Sequence, residues 1–178
     1  MSLKFIILGC GSSMGVPRPD GSFGKCNPAE KKNYRTRCSA IISSKFSNTL
    51  IDTSPDLRFQ LLKNNIKNID RVLYSHFHAD QTHGINDLRI FFIKNKKKIP
   101  IYCDKQTKDY LLKNFNYCFK KTTSYEAILT INTIKKIMNF TFCMLNPILD
   151  FFYQYFGQNR VVFENNYMMC PLTPNKSP

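Results

Sequence analysis

The chain has 178 residues, 43% hydrophobic and 21% charged, which suits one soluble domain long enough to bury a core. No apolar run approaches the roughly 18 residues a spanning helix needs, and the first strand candidate is too short and too early for the core of a signal peptide; the sequence therefore reads as a cytoplasmic protein with no membrane partner. The formal charge of +14, from 26 Lys and Arg against 12 Asp and Glu, has two readings: a composition biased toward Lys, Asn, Ile, Phe and Tyr, or attraction to a phosphorylated substrate or nucleic acid.

Leu3 to Leu8 is a short apolar run that stops at Gly9-Cys10-Gly11-Ser12-Ser13-Met14-Gly15-Val16-Pro17, the pattern of a buried strand running into a Gly-rich loop. Residues 17–37 read as a long loop, and long loops in compact domains tend to be functional or disordered. Cys38 to Ser43 and Asn48 to Asp52 read as two strands joined by a tight turn at Ser44–Ser47. Thr53-Ser54-Pro55-Asp56 then opens a helix, with Ser54 placed to cap it, Pro55 in its first turn, and Leu57, Leu61 and Leu62 on its apolar face.

Arg71 to Tyr74 is the next strand, and it delivers a histidine-rich loop at its C-terminal end. Ile85 to Phe92 reads as a helix over that loop, Ile99 to Cys103 as a strand, and Lys105 to Asn116 as a helix with Tyr110, Leu111, Leu112 and Phe115 inward. Ile128 to Ile134 closes the series as a strand. Strands alternating with helices predict a layered α/β or α+β domain over residues 1–136. Lys94, Lys96, Lys97 and Lys98 read as a solvated helix end. Residues 137–178 differ in kind. Their only charged side chains are Asp150, Glu164, Arg160 and Lys176, they are dense in Phe, Tyr and Met, and they show no sustained periodicity. They read as a divergent apolar tail, the product of a frameshift or premature end. The seven cysteines form no CxxC pair and read as reduced thiols.

The three histidines of the chain, His76, His78 and His83, fall within eight residues, with Asp80 between them. In an extended segment, positions 76 and 78 point the same way, so two imidazoles can reach one metal ion. Asp80 can bind a second ion or steer a metal-bound water, since a divalent ion lowers the pKa of its water toward neutrality.

Ser75-His76-Phe77-His78-Ala79-Asp80-Gln81-Thr82-His83-Gly84 resembles the His-x-His-x-Asp-His signature of the metallo-β-lactamase superfamily. Leu8 to Pro17, Arg35 to Ser39, Leu50 to Arg58 and His83 to Arg89 resemble, in order, blocks of one branch. That branch holds the phosphoribosyl cyclic phosphate phosphodiesterases and is a cousin of the tRNA 3′-processing endonucleases. The resemblance implies the N-terminal half of an αββα sandwich, a mixed sheet with outer helices. It implies His76 and His78 as ligands of a first metal, Asp80 of a second, and His83 as a further candidate. Asp52 would brace the ligands from behind, and Gly9, Gly11 and Gly15 would let the backbone pass close to the metal loop. The implied cofactor is a divalent metal, zinc or manganese.

Departures from the pattern are equally plain. Gln81 stands where the signature has a second-metal His. The superfamily draws a further His, a bridging Asp and a last His from its C-terminal half, yet no His follows His83, and only Glu126, Asp150 and Glu164 follow Asp109 as acids. Three functional readings stand at this point: a metal-dependent hydrolase of phosphodiester-type substrates using a metal-activated water as nucleophile; a truncated, inactive remnant of one; and a basic binding module, which has only its charge in its favour.

Overall fold

Alternation decides the first layer. In Lys4–Gly9 (β1) Phe5 faces one side of the sheet with Leu3 and Ile7, while Ile6 and Leu8 face the other, as the period of two requires. A computed structural model describes residues 3–123 and 125–134, so the apolar tail at 137–178 lies outside the described residues. β1 is followed by Ser39–Ser43 (β2), Asn48–Ile51 (β3), Arg71–Leu73 (β4), Ile99–Cys103 (β5) and Leu129–Thr133 (β6). They form one six-stranded mixed sheet in chain order. β1, β2 and β3 are antiparallel neighbours, with Phe5 opposite Ile42 and Ile41 opposite Leu50. From β3 to β6 the neighbours run parallel, each joined by a helical crossover.

The β2–β3 turn forms because Ser44 satisfies it locally: its Oγ accepts from the backbone N–H of Phe46 (3.2 Å) and Ser47 (3.1 Å). The crossovers carry Leu57–Lys63 (α1), Ala79–Thr82 (α2), a 3-10 turn at Ile85–Leu88, Arg89–Asn95 (α3), Lys105–Asn114 (α4) and Asn116–Phe119 (α5). The expected Ile85–Phe92 helix is thus two segments, a 3-10 turn that passes into α3. α4 starts where Asp104 accepts a hydrogen bond from Thr107 N at 2.7 Å, an N-cap that satisfies one of the orphan donors.

Leu57, Leu61, Ile85, Leu88, Phe91, Leu111, Phe115 and Cys118 from the helices bury against Ile41, Leu50, Val72, Ile101 and Cys103 of the strands. The 3-10 turn, α1, α3, α4 and α5 therefore lie on one face. The other face carries Phe5 and Ala40, buried, with Leu3, Ile7, Ile42 and Ile51 packed around them. Two details of the helix reading change. Ser54 does not cap α1: its Oγ accepts from Asp56 N (3.1 Å) ahead of the helix, and Asp56 holds the N-cap position. Leu62 is 61% exposed, and Gln60 is buried in its place. Among the described residues no helix is long and apolar enough to cross a membrane.

Candidate metal centre

β4 ends in the interior, and its direction aims Ser75 and His76 at one rim of the sheet. Tyr74, fully buried, anchors that end. Its hydroxyl lies 2.7 Å from Thr53 Oγ1, and burial holds its phenol well above the usual range. Thr53 N donates to Gln81 O (2.7 Å) and Gly84 N donates to Thr53 O (2.9 Å), so the β3–α1 junction clasps the histidine loop by its backbone.

Asp52 sits at that junction in the left-handed region, φ +57°, which non-Gly residues enter only when their surroundings hold them there. Its backbone N–H donates to Leu73 O (2.9 Å) and its carbonyl accepts from Ser39 Oγ (3.0 Å). The turn delivers the buried carboxylate to Ser75, whose N–H donates to Oδ1 and whose hydroxyl donates to Oδ2, both at 2.7 Å. Burial raises the Asp52 pKa to about 7, against the pull of the two Ser75 bonds; nearby Asp80 adds to the rise.

Ser75 Oγ is also 3.0 Å from His76 Nδ1. With Asp52 ionised, the hydroxyl proton points at the carboxylate, so Nδ1 must be the donor and Nε2 carries the lone pair. His76 Nε2 lies 3.0 Å from His78 Nδ1, with the rings edge to face. Above the Asp52 pKa the chain Asp52–Ser75–His76 thus favours the tautomer whose Nε2 lone pair faces His78 Nδ1. Burial, then His78, lowers the His76 pKa, which favours the neutral, metal-binding form.

The structure brings His76 and His78 together and leaves the other two candidates apart from them. Asp80 lies in the first turn of α2, where its Oδ2 accepts from Gln81 Nε2 at 3.0 Å; its charge is felt at His76, but no contact joins them. His83 ends α2, its Nδ1 3.2 Å from Thr82 Oγ1 and its ring set edge-on to Phe115. Two nitrogens on one zinc stand about 3.4 Å apart, so the observed pair fits two positions of a metal sphere with a small opening of the rings. Among the described residues no group of three or more His, Cys, Asp or Glu is placed to hold a metal ion.

Other surroundings were not legible in the motif. Arg37 grips Asp56 in a fork, Nε to Oδ2 at 2.9 Å and Nη2 to Oδ1 at 2.7 Å, and its backbone N–H also donates to Oδ2. This fork holds the Asp56 carboxyl below its ordinary range and ties the segment before β2 to the start of α1. Gly9 and Gly11 lie along this same 35–37 segment rather than against the metal loop: a Cβ on Gly9 would meet Arg37 O at 2.1 Å. The glycine that meets the loop is Gly84. Asp87 accepts from Arg58 N (3.0 Å), and Arg89 lies over the Tyr125 ring. Cys10, Cys38, Cys103 and Cys118 are free thiols.

A mixed sheet with helices on one face and a His-x-His pair at a strand end defines a metallo-β-lactamase-type half-domain. The family model described as the beta-lactamase superfamily domain matches residues 47–153, and the chain belongs to that family. It is 31% identical to a diphosphatase from the PhnP family, with a TM-score of 0.66, covering 75% of this chain and 51% of that one. The short form of human tRNase Z shares the fold at 17% identity and a TM-score of 0.50, covering 72% of this chain and 44% of that one. An octanoyltransferase of Porphyromonas gingivalis (strain ATCC BAA-308 / W83) is 34% identical over 120 residues, 67% of this chain and 24% of that protein. The chain thus spans about half the length of the solved structures and about a quarter of the octanoyltransferase.

Proposed function

We propose that the chain is a metal-dependent hydrolase by descent, directed at phosphodiester-type or diphosphate substrates. The observation that carries this reading is the approach of His76 Nε2 to His78 Nδ1, with His76 oriented through Ser75 by the buried Asp52 carboxylate. Zinc or manganese held by the two imidazoles would supply an acidified water and polarise a phosphoryl oxygen. The chain's own part is to keep His76 neutral and turned. Asp80, in electrostatic reach of His76, takes the role of steering water or holding a second ion. The 31% identity to a protein named as a diphosphatase supports phosphate chemistry. Small phosphorylated molecules are the substrates this favours over nucleic acid.

A second reading, an inactive remnant, is favoured by the lack of a third ligand near the histidines among the described residues. Catalytic zinc takes three protein ligands and a water. One experiment separates the two. The purified chain is loaded with zinc or manganese, and bound metal and turnover of bis(4-nitrophenyl) phosphate are measured beside His76→Ala. Turnover roughly tenfold or more above that variant supports the hydrolase. Metal taken up through His76 with turnover at the variant's level leaves the remnant. Metal uptake unchanged by His76→Ala overturns the hydrolase reading.

A further inference from the structure

The opposite end of the same sheet carries a concavity. His76 follows the C-terminal end of β4, whereas a cavity of about 380 Å³ lies at the N-terminal ends of β4 and β5. Five residue steps lead from Arg71 to His76, about 16 Å of extended chain. This end was read from sequence only as a solvated lysine cluster. In the fold, Lys97 and Lys98 line the cavity together with Arg71, Phe46 and Tyr102.

Charge and shape there are organised by the backbone. Lys96 takes the left-handed C-cap of α3, φ +53°, with its N–H donating to Phe92 O at 2.8 Å. That turn sends Lys97 and Lys98 back toward the start of β5. The rim is pinned beside them: Asn95 Nδ2 donates to Asn68 Oδ1 at 2.6 Å, and Asn48 Nδ2 to Asn68 O at 2.9 Å. Asp70 is the acid in the lining, and both its oxygens are taken, Oδ2 by Asn48 N at 2.7 Å and Oδ1 by Asn68 Nδ2 at 2.8 Å. Arg71, Lys97 and Lys98 enter none of the ion pairs among the described residues. Three cations therefore share the lining with a single carboxylate that is already engaged.

Phe46 supplies the apolar counterpart. It sits at the tip of the β2–β3 turn, 73% exposed, a position where turn chemistry favours small polar residues. The Ser44 hydroxyl fixes that turn by accepting from Phe46 N, and Lys45 Nζ stands 5.8 Å from the ring centroid. An aromatic held out of the core beside clustered cations is what a ligand with a planar ring and a phosphate recognises. The volume lies at the low end for small-molecule sites, roughly 300–1,000 Å³, which suits one nucleotide.

We propose that this cavity binds a nucleoside phosphate, with the phosphate on Arg71, Lys97 and Lys98 and the base on Phe46 and Tyr102. The site is separate from the histidines and does not depend on the hydrolase reading. The test is calorimetric titration of the full 178-residue chain, carrying His76→Ala, in chelator with AMP, and in parallel with inorganic phosphate. Arg71→Gln and the pair Lys97→Ala/Lys98→Ala are each expected to weaken AMP about tenfold. Phe46→Ala should weaken AMP about fivefold while leaving phosphate within about twofold. The control pair Lys31→Ala/Lys32→Ala, exposed lysines elsewhere, should change neither by more than about twofold. Melting temperatures matching the parent establish that the variants fold. Equal losses in the control pair would reduce the effect to net charge and overturn the site, as would indifference of AMP to Phe46→Ala. A single-stranded RNA oligomer binding about a hundredfold tighter than AMP would overturn the small-ligand assignment.

Discussion

Ser75 is the residue on which the candidate centre turns, and its role was invisible in the sequence. The His-x-His spacing shows which imidazoles share a side, because that follows from a period of two. It does not show which nitrogen of His76 is free. That depends on a hydroxyl one residue earlier and a carboxylate 23 residues before that hydroxyl, joined through bonds of 2.7 and 3.0 Å. Asp52 was legible as an acid ending a strand; its left-handed backbone and its burial were not. Burial has a measurable consequence. The folded pKa of Asp52 is about 7 against an ordinary 3.8, so between these values the folded chain holds a proton the unfolded chain has released. Its stabilising contribution is full below about pH 4 and is lost as pH rises through 7; the whole shift corresponds to roughly 4 kcal/mol. In chelator-treated protein, urea midpoints of Asp52→Asn should gain on the parent steadily from pH 4 to pH 7.5. Parallel curves would show that Asp52 is ionised throughout.

At the scale of elements, strands were more legible than helices. β2, β3 and β5 are short apolar runs flanked by Ser, Asn, Pro or Asp, and their bounds fall within a residue or two of those read from the pattern. α1 was harder because its apolar letters do not all share a stripe. Leu57 and Leu61 are one turn apart, but Leu62 lies about 140° around from Leu57, and it is exposed. Gln60 lies about 60° from Leu57 and is buried, its Nε2 donating to Arg37 O at 2.6 Å. A polar residue inside the stripe is explained by the Arg37 carbonyl and the Thr36 hydroxyl of a distant segment, which no local pattern shows. The contact between α1 and the histidine loop is equally non-local. A Cβ on Gly84 would stand 2.0 Å from Ser54 O and 3.0 Å from Leu57 Cβ. Both neighbours belong to fixed structure, so the loop must move away. Gly84→Ala should cost about 1–3 kcal/mol and weaken metal retention at His76, measured by chemical denaturation and zinc competition. A variant as stable as the parent would mean that the β3–α1 junction yields freely.

The whole molecule raises the question of what completes the centre. Helices cover one face of the sheet, and the second face carries its own apolar set around Phe5 and Ala40. A sheet with two apolar faces is an inner layer, stable only when something covers the second. The chain spans about half of its solved relatives, and among the described residues the histidine pair has no third ligand. Affinity and water activation both rest on a filled coordination sphere. Missing or misplaced partners around a metal cost on the order of 10–100-fold each. Zinc affinity of the 178-residue chain, measured by competition with a chromophoric chelator beside a diphosphatase of the PhnP family, should therefore be at least about 100-fold weaker. His76→Ala and His78→Ala should each abolish what binding there is, since neither imidazole alone has a second protein donor beside it. Equal affinity in the two proteins would refute this expectation. It would place the missing ligand in residues outside 3–134 or in a second copy of the chain, and dilution separates these, because binding supplied by a second copy falls as protein concentration falls.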